Sequence, residues 1–378
     1  MKIIVVSQFG DVATGGAERY AREVGARLSD RHGFWVRAVS APRNGALLKR
    51  PGVRTIAGLA DLRHFFRLRR MFRQARPDWV YLHYTVPGIV DAAFLAARSL
   101  GLCCALMYHS DITGLGPKKV AGTLYFQLFG RKMVRDCALA FVNSRLYARN
   151  SPFLRGIDRS WIPAPPGLDQ ALVGAAGEAS SQTAAPPETA APRSPYILFV
   201  GKPGLPEKGF DVLARAWQGV VDRGVSADLV VAGGGPAKPS PSSAGRPVIR
   251  RLGHVSGRRA LYRLYEGAQA TVLPSVTSAE SFGMVLAEAL SAGCPVVGSA
   301  VGGVPEIIED GLNGYLAAPA DAASLANALE KTVRHNDRLR QYIRRHAWQL
   351  RARYDWDATT ETVARAMIMN KASGGSRV

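Results

Sequence analysis

Apolar residues fall in short unbroken runs, set apart by polar stretches rich in glycine and proline. The chain opens with such a run, IIVV within 2–7, and similar segments occur at 35–39, 79–83, 103–108 and 139–144. Runs of this length, bounded by turn residues, suit strands buried on both faces of a parallel sheet. Helical periodicity fills the intervals, with a helix expected from about 16–18 and others over 62–75 and 91–100. Strand and helix in alternation imply a parallel sheet wrapped by helices, whose ligand crevice lies at the C-terminal ends of the strands.

The second half repeats the arrangement. Strands are expected at 196–200 (YILFV), 229–232 (LVVA) and 248–255 (VIRRLGHV), and helices at 258–266, at 321–331 and from 339 to 354. A last helix follows in YDWDATTETVARAM, with Asp357 as its expected N-cap, and the closing KASGGSRV reads as disordered. Between the halves, 171–194 is rich in Ala, Ser, Thr and Pro without apolar period, the composition of a flexible linker. The expected division is 1–170 for the first domain, 195–350 for the second, and 351–378 for a crossover helix and tail.

The densest signal is 273–303, LPSVTSAESFGMVLAEALSAGCPVVGSAVGG. Pro274, Ser275 and Ser278 break the preceding strand, so Glu280 falls on a loop. A helix is expected from Ser281 or Phe282, with Glu288 about two turns inside. The amides of Phe282, Gly283, Met284 and Val285 would then face an anion at the helix mouth. Two carboxylates flanking an anion site suit a long polar ligand with two clusters of hydroxyls.

Charge and cysteine content narrow the setting. The net charge is +20, and 1–169 holds 26 Lys and Arg against 11 Asp and Glu, whereas 170–378 holds 23 against 18. A basic first half fits anionic lipid or a phosphorylated substrate, and nucleic acid is not expected, since no helix-turn-helix, zinc-finger or RNP pattern accompanies it. Cys103, Cys104, Cys137 and Cys294 lie in apolar surroundings without metal-ligand spacing and read as buried reduced thiols of a cytoplasmic protein. The N-terminal apolar run is too short for a signal peptide, and no stretch reaches membrane-spanning length. In 62–75, Leu62, Phe65, Phe66 and Phe72 share one side of a helical wheel and Arg63, Arg67 and Arg70 another. Such a helix either packs its aromatic side on the sheet or lies on an anionic membrane.

ESFGMVLAEALSAGCPVV, followed by GGVPEIIEDGLNGYL, resembles the E-x7-E segment of glycosyltransferase family 4, the retaining enzymes of the GT-B fold. The resemblance covers nearly the whole chain apart from the linker and tail. It implies an α/β architecture of two Rossmann-like, doubly wound domains facing across a cleft. The implied reaction is hexosyl transfer from a UDP- or GDP-sugar to a glycan or lipid-linked acceptor, in cell-surface polysaccharide synthesis, with no cofactor and no metal. The rival readings are a nucleotide-sugar epimerase of the same architecture and a non-catalytic nucleotide-sugar binding module.

Residue roles follow from the matched motifs. TGGAERYAREVGARL is similar to the family's GG-x-E loop, which places Gly15 and Gly16 near the sugar and diphosphate, and His109 in YHSDI stands where the family has a His beside the donor sugar. GKPGLPEKGFDVLARAW is similar to the G-R-x-x-x-x-K-G phosphate loop, which makes Lys208 a diphosphate ligand. Lys202 takes the place of the usual Arg, a point charge for a bidentate fork. Gly253, His254 and Val255 match the stretch whose backbone holds the base. Glu288 would bind ribose hydroxyls and Glu280 sugar hydroxyls, so His109, Glu280 and Lys208 form the expected catalytic group. Pro166 stands where P-N-G members have Asn. The one Asp-x-Asp, Asp355-Trp356-Asp357, lies at the start of the terminal helix rather than beside a strand end.

Overall fold

The computed structural model describes residues 1–8, 16–40, 62–112, 117–169, 194–234 and 248–373. Gly15, nearly all of the expected linker and the last five residues lie outside them. The chain forms two compact units, one of 1–166 with 356–378 and the other of 167–355.

The first unit holds a six-stranded sheet in the order β2-β1-β3-β4-β5-β6. Its strands are β1 Lys2–Ser7, β2 Trp35–Ser40, β3 Trp79–Tyr84, β4 Cys103–Tyr108, β5 Leu139–Val142 and β6 Ile162–Pro163. The second unit has the order β12-β11-β10-β7-β8-β9. It consists of β7 Tyr196–Val200, β8 Asp228–Ala232, β9 Ile249–Gly253, β10 Ala270–Leu273, β11 Val296–Ser299 and β12 Gly314–Ala317. Every pairing is parallel. Sequential strands lie apart where the winding reverses, between β1 and β3 in the first sheet and between β7 and β10 in the second. Those switch points are where open α/β sheets bind ligands.

Two-residue periodicity divides each strand between two cores. In β1, Ile4 and Val6 enter one apolar cluster while Ile3 and Val5 enter the other. In β7, Tyr196 and Leu198 separate from Ile197 and Phe199 in the same way. The terminal helix Trp356–Ala372 belongs to the first unit, where Trp356, Val363 and Met367 pack with Ile3, Tyr20 and Leu28. The Thr359 hydroxyl donates to the Pro165 carbonyl at 2.6 Å, and Lys371 pairs with Asp78 at 2.7 Å. All four cysteines are free thiols, with Cys103 half-buried and the others buried.

Local polar groups correct several expected boundaries. Ser144 does not extend β5; its Oγ accepts from Tyr147 N–H at 2.9 Å and caps the helix Arg145–Asn150. The helix expected at 91–100 is Ile89–Arg98, because the Asp91 carboxylate accepts from Gly88 N–H at 2.5 Å and opens the helix before it. Asp357 is not an N-cap. It sits inside the first turn of Trp356–Ala372 and pairs with Arg27 at 3.0 Å and Arg31 at 2.5 Å. In the helix Leu62–Ala75 the buried stripe runs through Phe65, Leu68 and Phe72, which turns Phe66 to solvent with 62% of its surface exposed. Its apolar side is therefore used by the core rather than offered to a membrane.

Asp111, two residues after His109, lies buried and accepts hydrogen bonds from the hydroxyls of Tyr108 at 3.1 Å, Tyr147 at 2.9 Å and Ser151 at 2.6 Å. Removing a shared acceptor strands several buried donors at once. Asp111→Ala should destabilise the protein by about 3 kcal/mol or more, read as a lowered urea midpoint. A loss under about 1 kcal/mol would show that these hydroxyls find other partners.

Candidate active site

The second unit builds its site at the switch point. Strand β7 leads into 201–209 and β10 into 274–283, and because the two strands are neighbours these loops start side by side. Their meeting is charged: Lys208 Nζ donates to Glu280 Oε2 at 2.7 Å, and the Ser275 hydroxyl donates to the same oxygen at 3.2 Å. The pair is mostly sheltered, with 33% of the Lys208 side chain and 13% of the Glu280 side chain exposed. The Glu280 charge raises the pKa of Lys208 above the ordinary lysine value against the opposing effect of burial, so the ammonium is fixed in its charged form.

Two glycines let the backbones approach closely enough. Gly209 has φ of 65°, and a Cβ there would stand 1.9 Å from the Pro274 carbonyl oxygen. Gly302, in the turn after β11, has φ of 55°, and a Cβ there would stand 1.7 Å from the Glu280 carbonyl oxygen. Gly303 N–H donates to that same oxygen at 3.4 Å. Lys208 and Glu280 thus rest on positions where only glycine fits.

The helix after Glu280 begins later than expected, at Met284, because Gly283 takes φ of 97° and serves as N-cap. The first amides to enter the helical ladder are those of Leu286 and Ala287, both to the Gly283 carbonyl, at 2.9 and 3.3 Å. Those of Gly283, Met284 and Val285 remain ahead of the ladder, where a helix mouth receives an anion. The Phe282 ring is buried, edge-on to Tyr354 at 5.2 Å, so its side chain serves the core and only its backbone can serve the site. The later start also puts Glu288 about one turn inside the helix rather than two. There it accepts from the Tyr265 hydroxyl at 3.1 Å, on the helix Arg258–Gly267.

Lys202 is exposed on the loop leaving β7. Its neighbour Gly201 donates to Ala232 at the end of β8 at 2.9 Å, and Gly233 in turn donates to the Gly253 carbonyl at the end of β9 at 2.6 Å. The three strand ends are therefore tied together. His254 is exposed, and Val255 packs partly on the core below the helix Arg258–Gly267.

His109 belongs to the first unit, at the end of β4, and its Nε2 lies 2.9 Å from Nδ1 of His83 at the end of β3. The rings stack at 5.2 Å with Tyr20 edge-on, and Asn143 Nδ2 donates to the His109 carbonyl at 3.1 Å. Both imidazoles are buried, which pushes His109 down to about 3 from 6.5 and holds His83 well below its ordinary value, with the neighbouring imidazole adding to the fall. A neutral pair sharing one hydrogen bond results. Gly16 opens the helix Gly16–His32 with open space about its Cα.

The motifs did not announce His83, Ser275 or Tyr265. His83 was within reach of the pattern, since it closes a strand next to the one His109 follows. Ser275 and Tyr265 carry no signal of their own. Among the described residues no cluster of His, Cys, Asp or Glu could hold a metal ion, and no helix is long and apolar enough to cross a membrane.

Buried neutral histidines set a pH dependence. Between about 3 and 6.5 the unfolded chain binds a proton at His109 that the folded chain refuses. Stability is then complete above 6.5 and falls as pH drops, by about 1.4 kcal/mol per pH unit for each such imidazole. Urea unfolding of the wild type and His109→Asn between pH 7 and about 5 should show the shallower slope in the variant. Equal slopes would mean that His109 is protonated in the folded protein.

Two family models match the chain: Glycosyltransferase Family 4 over residues 14–169 and Glycosyl transferases group 1 over residues 194–335. A phosphatidyl-myo-inositol mannosyltransferase of Mycobacterium leprae is 34% identical over 226 residues, 58% of this chain and 59% of the relative. The match thus spans little more than half of that relative's length. The sucrose-phosphate synthase of Thermosynechococcus elongatus has a similar fold, with TM-score 0.70, 18% identity and coverage of 98% and 99%. Anabaena HepE in complex with UDP superimposes with TM-score 0.67, 15% identity and coverage of 98% and 100%.

Proposed function

The chain belongs to glycosyltransferase family 4, and on that premise we propose that it moves a hexosyl group from a UDP- or GDP-sugar to a glycan or lipid-linked acceptor with retention of configuration. The observation that carries this reading is the Lys208–Glu280 pair at the β7/β10 switch point, beside a helix mouth with unused amides. A sugar nucleotide offers that place a diphosphate for the cation and amides, and hydroxyls for the carboxylates. The mannosyltransferase relative is named for a phosphatidyl-myo-inositol, which supports a lipid-linked acceptor; the proposed work is then at an anionic membrane, on its cytoplasmic face. Cell-surface polysaccharide synthesis is the process such an acceptor fits.

As the bond between the anomeric carbon and the diphosphate oxygen breaks, negative charge grows on the leaving diphosphate. Lys208, already charged and held by Glu280, meets that charge without reorganising, and the amides of Gly283, Met284 and Val285 add fixed dipoles. Lys202 supplies a second, more mobile cation. Glu288 holds ribose hydroxyls; Glu280 holds sugar hydroxyls with the oxygen that Lys208 leaves free. Gly253, His254 and Val255 border the base. The resemblance to the family gives His109, neutral and buried in the first unit, the role of one hydrogen bond to the sugar, and gives Gly16 a role toward the diphosphate. The acceptor enters on the face the diphosphate leaves, and its proton passes to the departing oxygen.

Fixed positive groups replace a metal in this scheme. Lys208→Met should lose about 10²- to 10³-fold in turnover while remaining folded. Wild-type release of nucleoside diphosphate should need acceptor and survive exhaustive chelation. Loss of activity on chelation, with recovery on adding magnesium or manganese, would overturn the role of Lys208. Release without any acceptor would favour an epimerase or hydrolase.

A further inference from the structure

We propose that the helical stretch 117–135 of the first unit is the face on which this protein rests against an anionic lipid bilayer. The proposal takes from the functional reading only that the acceptor is found at a membrane; the surface is argued from its own geometry.

The helix Pro117–Tyr125 passes into a single π turn, Phe126–Gly130, closed by Arg131 N–H to the Phe126 carbonyl, and continues as Arg131–Asp136. Inward, Tyr125, Phe126, Met133 and Val134 join the apolar core. Outward, Val120 is 69% exposed, Leu124 58%, Leu128 61% and Phe129 53%. In an unbroken α-helix, position 129 would follow Tyr125 and Phe126 onto the buried side. The extra residue of the π turn rotates Phe129 to solvent and puts Gly130 in its place, where a Cβ would stand 2.5 Å from the Phe126 ring. Of the twelve large apolar residues that are exposed among those described, four fall within these ten positions, a patch rather than a scatter.

Charge selects the partner. Over 120–136 the sequence has Arg131, Lys132 and Arg135 against the single acid Asp136, which pairs with Lys132 at 3.0 Å and with Arg98. Lys132 and Arg135 are exposed. Exposed apolar side chains on one helical stretch, bordered by cations, match a bilayer interface with acidic headgroups. The more conspicuous helix Leu62–Ala75 spends Phe65, Leu68 and Phe72 on its own core, which leaves Phe66 as the one large apolar residue, among those described, exposed beside its arginines.

The test is co-sedimentation of the full chain with vesicles of equimolar phosphatidylcholine and phosphatidylglycerol, and with phosphatidylcholine alone. Wild type should bind the first and barely the second. Leu124→Ser with Phe129→Ser should weaken binding at least about tenfold, and Lys132→Gln with Arg135→Gln by about fivefold for each charge. Thermal melts and turnover with a short water-soluble acceptor should not change. If wild type and both variants bind the mixed vesicles equally, this face is not the contact, although the membrane reading stands. If wild type transfers sugar to the soluble acceptor but binds neither vesicle, the membrane contact is overturned and the transferase reading stands. If gel filtration shows a wild-type dimer that the serine variant splits, the face joins two copies of the chain and the proposal falls.

Discussion

The loops that follow β7 and β10 in the second unit are held against each other by one ion pair. Lys208 and Glu280 come from loops that follow β7 and β10, 72 residues apart in sequence yet adjacent because the winding of the sheet reverses between those strands. The pair keeps a cation charged at a sheltered place and leaves each partner with unused hydrogen-bonding capacity. A free lysine on a loop would have to be ordered when ligand arrives. Here Ser275, the pair itself and the close approaches at Gly209 and Gly302 have already done so. The entropy cost is met in folding, which is what preorganisation means for a site that must stabilise charge.

The first unit answers with a different device. His83 and His109 sit at neighbouring strand ends, buried and neutral, linked to each other and boxed by Tyr20. A charged imidazole there would be costly, so this pair can position a polar group by hydrogen bonding but does not serve as a cation near neutrality. Positive charge in the first unit is found instead on its surface, including Lys132 and Arg135 beside the apolar face. The two units thus separate fixed charge at a sheet crevice from diffuse charge at an exterior surface.

Sequence was most informative where burial dictated composition. Apolar runs located strands such as Lys2–Ser7 and Tyr196–Val200, since both faces of a parallel strand must be apolar. It misled where a local polar contact overrode the pattern, as with Ser144 turning from strand to cap and Gly283 delaying the helix. Glu280, Lys208 and Glu288 were visible as a spaced set, but not that two of them pair with each other. That pairing follows from strand order, which no local motif encodes. The helical wheel grouped Phe66 with Phe65 and Phe72, whereas only packing revealed which aromatic the core left out. Phe129 stayed hidden because no helix was read from the sequence between 109 and 138, where the structure has helical turns broken by a π turn.

In the proposed reaction Lys208 grips the diphosphate while its partner Glu280 reads the sugar. Calorimetric titration of Lys208→Met and Glu280→Gln with a nucleoside diphosphate and with the matching sugar nucleotide tests it directly. Lys208→Met should weaken both ligands by about tenfold or more, since a charge-assisted contact to the shared diphosphate is lost. Glu280→Gln should weaken only the sugar nucleotide and leave the bare diphosphate bound at least as well as in wild type, because the carboxylate no longer competes for Lys208. Were the two variants to shift both ligands alike, or neither, the division of roles within the pair would be wrong.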